Sequence, residues 1–278
     1  MPNLHTLTQY LLPKQALTRL AGAGARLEGG ALTQWAIRRF IQQYQVNMQE
    51  AAEPDPSAYT SFNAFFTRAL RPDARPLADS DLVCPVDGAV SQLGNIDAGR
   101  IFQAKGHDYT ATALLAGDGK LAEHFVDGQF ATIYLSPRDY HRYHAPCDMR
   151  ILSALYVPGE LYSVAVSALL KVPNLYAKNE RVVLKCELGS GKKMWLVFVG
   201  ALNVGKMKFD FDARIQTNAC AGNVALYEYE NLSAKKGEQL GMFELGSTIL
   251  ILSEQGAVKF DLAAEQKLKY GDKIGTIN

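Results

Sequence analysis

The sequence has no uninterrupted apolar run close to the ~18 residues that a membrane-spanning helix needs. Its longest candidates, 194–205 and 161–170, fall short of that length. It also has almost no net charge: 29 basic against 28 acidic side chains leave +1, and no Lys/Arg block is sustained. A nucleic-acid binder would show a basic patch, so that class is excluded as a partner. Cysteine is scarce, with four residues at Cys84, Cys147, Cys186 and Cys220 and no CxxC spacing. Such thiols read as free, in a reducing compartment. The first lysine, Lys14, follows the leucine-containing stretch, so the order of basic start, apolar stretch and small-residue cleavage site that marks a secretory signal is missing. The expected setting is the cytosol or the cytosolic face of a membrane. Internal repeats and low-complexity tracts are lacking as well.

What remains is a chain of 278 residues, 48% hydrophobic and 21% charged, long enough to bury a real core. Residues 1–50 stand apart. Leu4, Leu7 and Leu11, then Leu17 and Leu20, then Leu32, Trp35, Ala36 and Phe40 follow helical spacing, interrupted at Pro13, Gly22-Ala23-Gly24 and Gly29-Gly30. Five basic against two acidic residues give this segment +3, leaving −2 for the remainder. Two or three short amphipathic helices are expected here. They suit either a membrane-surface segment or a layer packed on the body. Pro54-Asp55-Pro56 marks a boundary, and a short helix is expected over 61–70.

From Asp81 the pattern turns to strands, at 131–135, 150–157, 182–187, 195–199, 224–229, 248–252 and 258–262, with Gly189-Ser190-Gly191 as a hairpin turn. The expected class is α+β: a mainly antiparallel β-sandwich core (51–278) behind an N-terminal amphipathic helical segment (1–50) for membrane association.

Three segments could carry chemistry. Of five histidines, His141 and His144 share one stretch, Tyr134-Leu-Ser-Pro-Arg-Asp-Tyr-His-Arg-Tyr-His-Ala-Pro146, and imidazole is the side chain best suited to proton transfer near neutral pH. No second Cys/His cluster completes a metal site around them, so no metal is expected. The Cys84-Pro85-Val86-Asp87-Gly88 turn offers a carboxylate that could fix the tautomer of a nearby histidine, although Asp-Gly by itself marks only a turn. In Leu245-Gly246-Ser247-Thr248, a hydroxyl lies one residue from an unshielded glycine carbonyl, within reach of a five-membered ring closure that would turn the peptide bond into an ester. An isolated Gly-Ser pair is otherwise an ordinary turn before a strand.

Taken in order, Pro85-Val-Asp87-Gly, the long histidine segment and Leu245-Gly246-Ser247-Thr248 resemble the bacterial phosphatidylserine decarboxylases. The likeness extends to Phe65-Phe66-Thr67-Arg68, Lys105-Gly106, Pro158-Gly159-Glu160-Leu161-Tyr162-Ser163-Val164, Asn179-Glu180-Arg181-Val182, Lys236-Gly237-Glu238-Gln239-Leu240-Gly241 and Leu12-Pro13-Lys14. The resemblance implies a zymogen that cuts itself between Gly246 and Ser247 into a β chain of 246 residues and an α chain of 32, and converts Ser247 to a pyruvoyl cofactor. It implies a relay in which Asp87 orients His144 and His144 deprotonates Ser247. His141, one turn from His144 if the loop is helical, would position substrate or transfer a proton.

The pyruvoyl ketone would form a Schiff base with the substrate amine and accept the electrons released with carbon dioxide. The implied partner is phosphatidylserine in an anionic membrane, reached peripherally from the cytoplasmic side; a homodimer is a further assembly it allows. One departure stands out: where the family commonly has Asn after Tyr-Ser-Val, this chain reads Ala165-Val166. The alternatives are a pyruvoyl decarboxylase of a soluble amino acid and a non-catalytic membrane-binding β-sandwich module.

Overall fold

The computed structural model describes residues 14–97, 99–104, 107–116, 127–202, 206–218, 222–244 and 248–278. Outside them lie the first leucine stripe, His5, His124, Lys105-Gly106, Cys220 and Leu245-Gly246-Ser247.

Two helices open the described chain, α1 (Lys14–Arg26) and α2 (Ala31–Tyr44). Gly30 separates them at φ 54°, a left-handed conformation that glycine adopts without the Cβ penalty. The break expected at Gly22-Ala23-Gly24 does not occur, and α1 runs through it. A helical glycine costs only about 1 kcal/mol, and tertiary packing overrides it. Thr18, Gly22 and Ala25, spaced one face apart, are buried where α1 lies against α3 (Phe62–Phe66).

That third helix is shorter than expected. The Ser61 hydroxyl caps it by accepting from the Ala64 N–H, and Thr67 closes it by donating its hydroxyl back to the Asn63 carbonyl. Ile37, Val46, Met48, Ala51, Phe65 and Phe66 form a small core of their own beneath these helices.

The body is an antiparallel β-structure, as its pattern indicates. Its strands are β1 (Leu82–Val83), β2 (Gly88–Asn95), β3 (Arg100–Ala104), β4 (His107–Thr110), β5 (Gln129–Tyr134), β6 (Arg142–His144), β7 (Met149–Val157) and β8 (Arg181–Glu187). There follow β9 (Lys193–Val199), β10 (Met207–Phe209), β11 (Ala225–Ala234), β12 (Gln239–Phe243), β13 (Thr248–Ser253), β14 (Val258–Phe260), β15 (Lys267–Leu268) and β16 (Lys273–Ile277). Eight of them make the main sheet, in the order β11-β7-β8-β9-β13-β5-β2-β15.

Strand β13 sits in the middle, between β9 and β5, and every residue of it is buried. Its alternation is two-sided: Ile249 and Ile251 enter the core on one face, Leu250 and Leu252 the core on the other. This is why it reads as a continuous apolar run rather than as alternation. Truncating any of these side chains to alanine costs about 2–5 kcal/mol.

The two faces are covered differently. One packs against two three-stranded sheets, β10-β12-β6 and β1-β16-β14, through Tyr143, Phe209, Phe243 and Ile274. The other is covered by the β3-β4 hairpin and the short helices α4 (Ala111–Leu114), α5 (Val166–Leu169) and α6 (Leu175–Lys178). The expected sandwich therefore describes one face only. Cys84, Cys147 and Cys186 are buried free thiols; burial pushes Cys147 up to about 12, so it is an inert packing group.

Candidate active site

The Asp87-Gly88 turn is a place of close backbone approach. A Cβ on Gly88 would stand 2.5 Å from the Tyr134 carbonyl oxygen, so only glycine brings the end of β2 against β5 here. Asp87 is buried beside it, and its carboxylate is fully engaged. Arg75 donates Nε to Oδ1 at 3.1 Å and Nη2 to Oδ2 at 2.6 Å, and the Tyr270 N–H donates to Oδ1 at 2.8 Å. Arg75 also reaches Glu50 at 2.5 Å, which Lys269 meets from the other side at 2.8 Å. Burial works against the Arg75 charge, but the bonds to Asp87 and Glu50 outweigh it and push the guanidinium above its ordinary range.

His144 ends β6, where its backbone N–H donates to the Pro85 carbonyl at 2.9 Å. Both ring nitrogens are occupied. Nδ1 lies 3.0 Å from the Gly237 carbonyl oxygen and Nε2 lies 3.0 Å from the Tyr140 hydroxyl. A carbonyl can only accept, so Nδ1 carries the proton, and Nε2 presents its lone pair to the Tyr140 O–H. The ring stacks on Tyr270 with centroids 3.7 Å apart. Burial lowers its pKa to about 4, against the opposing Gly237 hydrogen bond, so at neutral pH it is an uncharged base.

Asp87 makes no hydrogen bond to the His144 ring, whose nitrogens face Gly237 and Tyr140, while its own oxygens hold Arg75 and Tyr270. It acts on His144 through its charge, which favours the imidazolium, and by fixing the Tyr270 backbone whose ring supports the imidazole.

His141 differs. It is fully buried, and its Nδ1 lies 2.8 Å from the Asp139 carbonyl oxygen, which assigns the proton to Nδ1. Its Nε2 lone pair has no partner. The ring meets Phe66 at 4.1 Å, and burial lowers the pKa to about 3, with the Arg68 charge adding to the effect. The segment is not helical: His141 precedes β6 and His144 closes it, so the expected one-turn spacing is replaced by a strand that sends the two rings into separate surroundings.

Gly246 and Ser247 lie outside the described residues, but the residues on either side of them are firmly held. Before them, the Phe243 N–H donates to the His141 carbonyl at 2.9 Å, and buried Glu244 is paired with Arg26 and with Lys208. After them, Thr248 sits opposite Tyr134 on one side and Val199 on the other. Both flanks of the Gly-Ser pair thus abut the segment 134–141 that leads to the histidines. Along and beneath it, three residues carry buried polar atoms without partners among the described residues: Ser136 Oγ, His141 Nε2, and Nε and Nη1 of Arg68, whose Nη2 meets the Arg138 carbonyl. Native interiors rarely leave such atoms unmet.

The profile of the phosphatidylserine decarboxylase family matches residues 62–276, and a second profile, described as PSD, matches residues 4–45. The chain belongs to the phosphatidylserine decarboxylase family. It is 54% identical to a phosphatidylserine decarboxylase proenzyme of Chromobacterium violaceum, covering 93% of this chain and 92% of that one. It is 48% identical to the proenzyme of Dechloromonas aromatica, covering 98% of each.

For this member of the phosphatidylserine decarboxylase family, the motifs of the resemblance prove to be neighbours. The Arg75-Asp87 pair, the histidine segment, the turn around Gly237 and the strand after the Gly-Ser pair all meet at one end of the main sheet. The Asn179 side chain accepts from the Tyr162 N–H at 2.9 Å and donates to the Tyr162 and Gly200 carbonyls, bracing β9 where it faces Thr248. Ala165, the departure from the family pattern, accepts the Ala168 N–H at 2.8 Å at the start of α5.

Sequence reading missed Arg75, Tyr140, Tyr270 and the buried guanidinium of Arg68 within the site. Only Arg68 had a signal, in its Phe-Phe-Thr-Arg motif. Arg75 and Tyr270 act through non-local contacts that no spacing announces, and Tyr140 lies within the histidine segment, four residues from the ring it meets.

Proposed function

We propose that the chain is a phosphatidylserine decarboxylase proenzyme that cuts itself between Gly246 and Ser247. The observation that carries this is the anchoring of both flanks of the Gly-Ser pair against the segment bearing His141 and His144, in a chain about half identical to proteins so named.

His144 Nε2, the unprotonated nitrogen, exchanges the Tyr140 hydroxyl for that of Ser247 and takes its proton. The oxygen attacks the Gly246 carbonyl carbon and the amide becomes an ester. Elimination then releases the Gly246 carboxylate, and water replaces nitrogen, lost as ammonia, leaving a ketone at residue 247. Asp87, held by Arg75, keeps Tyr270 and hence the imidazole in place. The Ser136 and His141 atoms without partners among the described residues suit a polar group built from residue 247. That pyruvoyl group supplies an electrophile for the substrate amine and an electron sink for the bond losing carbon dioxide. His141, neutral and bearing a lone pair at Nε2, would accept a hydrogen bond or a proton from the reacting portion of the substrate.

We further read residues 1–50 as a membrane-surface segment. No helix among the described residues is long and apolar enough to cross a membrane. Yet Leu20, Leu27, Leu32 and Trp35 are each about two-thirds exposed. A hollow of about 510 Å³ on α2 is lined by Trp35, Arg38 and Arg39. An apolar ridge beside arginines is what an anionic bilayer binds, at roughly 1 kcal/mol per basic residue near the surface. The cytoplasmic face remains the proposed location, and phosphatidylserine the membrane-borne substrate.

Intact mass tests the chemistry: two chains of 246 and 32 residues, the shorter one blocked by a ketoacyl group, are expected. A lasting full-length species, or a free N-terminal serine, refutes it. Removing residues 1–45 should abolish turnover on vesicles, and unchanged turnover would refute the membrane-surface role; turnover of free serine but not of the lipid would favour a soluble amino-acid substrate.

A further inference from the structure

Arg68 is the most unusual charge in the molecule. It is 5% exposed, yet it makes no ion pair among the described residues. Its Nη2 donates to the Arg138 carbonyl at 3.1 Å, and the guanidinium lies 5.4 Å from the Phe65 ring centre, while Nε and Nη1 have no acceptor. A guanidinium takes planar, bidentate partners, and leaving two of its donors unmet in the interior is costly.

The other buried arginines show how this fold normally satisfies one. Arg75 forks onto Asp87, and Arg181 donates to the carbonyls of Leu114, Ala113, Ala177 and Asn179. The position of Arg68 is equally particular. Phe66, two residues earlier, packs on His141, and the neighbouring Thr67 carbonyl accepts from Arg142 Nε at 2.9 Å. Arg68 therefore lies beneath the 136–142 segment, close enough to the His141 ring for its charge to lower the imidazole pKa.

We infer that Nε and Nη1 of Arg68 hold the phosphodiester of the lipid headgroup, fixing the serine portion beneath His141; this rests on the decarboxylase reading above. The substrate carries two anionic groups, and the chemistry chooses between them. The carboxylate loses its charge as it leaves as neutral carbon dioxide. A guanidinium bound to it would stabilise the ground state more than the transition state and slow the reaction. The phosphodiester keeps its charge throughout, so holding it anchors substrate and transition state alike. A dry, preformed guanidinium fits that task.

The test uses Arg68→Gln and Arg68→Lys in the full-length protein, with intact mass, melting temperature and steady-state kinetics on phosphatidylserine in mixed micelles. Both variants are expected to cut as the unaltered chain does. In Arg68→Gln, KM rises at least tenfold with kcat within about threefold, and Arg68→Lys recovers part of the loss. Glycerophosphoethanolamine, which has the phosphodiester and no carboxylate, should inhibit Arg68→Gln at least tenfold more weakly.

Unchanged inhibition by that probe beside weakened turnover would place Arg68 on the carboxylate and overturn the assignment. So would unchanged KM, or loss of cutting and melting temperature in both variants, which marks a structural arginine. Failure of the unaltered protein to cut or to decarboxylate the lipid instead refutes the decarboxylase reading.

Discussion

The surroundings of His144 and of His141 lie three residues apart in sequence and are built on opposite plans. Around His144 every polar group has a partner: Tyr140 and Gly237 on the ring, Tyr270 against its face, and the chain Asp87-Arg75-Glu50-Lys269 behind. Along the His141 segment the imidazole, Arg68 and Ser136 each keep an atom unmet among the described residues. A closed network fixes one geometry, which suits a cut made once within the chain. An open one holds donors and acceptors in readiness for a group that arrives from outside, as repeated turnover requires.

The sharpest way to break this contrast is to remove each ring. His144→Ala is expected to leave a single uncut chain, whereas His141→Ala should cut normally and lose at least about 10²-fold in decarboxylation, the scale of general acid–base or positioning roles. Intact mass and carbon dioxide release read the two separately, and identical behaviour would erase the distinction.

Next in size come the two arginines. Arg75→Gln leaves buried Asp87 without its cation, whereas Glu50 keeps Lys269, and should cost about 3–5 kcal/mol in stability. Arg68→Gln strands no carboxylate and should cost less than about 1 kcal/mol; denaturant melts compare them directly. Equal losses would mean that Arg68 is as built-in as Arg75.

Acid acts on both regions alike. The two imidazoles are held at about 4 and about 3 in the folded chain, against roughly 6.5 when exposed. Below the unfolded value the unfolded chain takes up protons that the native one refuses. The stability contribution is thus whole above about pH 6.5 and falls as pH drops toward the folded values. Between pH 6.5 and 5.5 the pair should lose roughly 2 kcal/mol. His141→Asn should remove about half of that slope, and an unaltered slope would show that the ring is not proton-excluding.

The smallest effect belongs to Tyr140→Phe. Loss of one hydroxyl contact to Nε2 should cost about 0.5–1.5 kcal/mol and slow cutting by tenfold or less. A complete block would make Tyr140 an obligatory member of the proton path.

Legibility in the sequence followed the range of the contact. Strands β5, β7, β8, β9 and β13 announce themselves as apolar runs because their side chains are buried on one or both faces of a wide sheet. The hairpin at Gly189-Ser190-Gly191 is a local turn, and it joins β8 to β9 as read. The short strands β6, β10 and β12 carry no such signal. They exist because Met242 pairs across to Arg142 and Lys208 from distant parts of the chain. Helix α1 crosses its glycines because α3 supports it, and no local propensity contains that fact.

By itself the sequence determined the antiparallel class, the absence of any long apolar span and the three motifs whose order marks the family. Those are properties of residue type and spacing, and they survive without knowledge of neighbours. Tertiary structure alone decided that Asp87 belongs to Arg75 rather than to His144, that His144 keeps its lone pair on Nε2, and that Arg68 is left with unmet donors. Each of these turns on which oxygen lies within about 3 Å of which nitrogen in a desolvated interior. That distance is set by a sheet whose central strand comes from the last few dozen residues, and no window of sequence spans it.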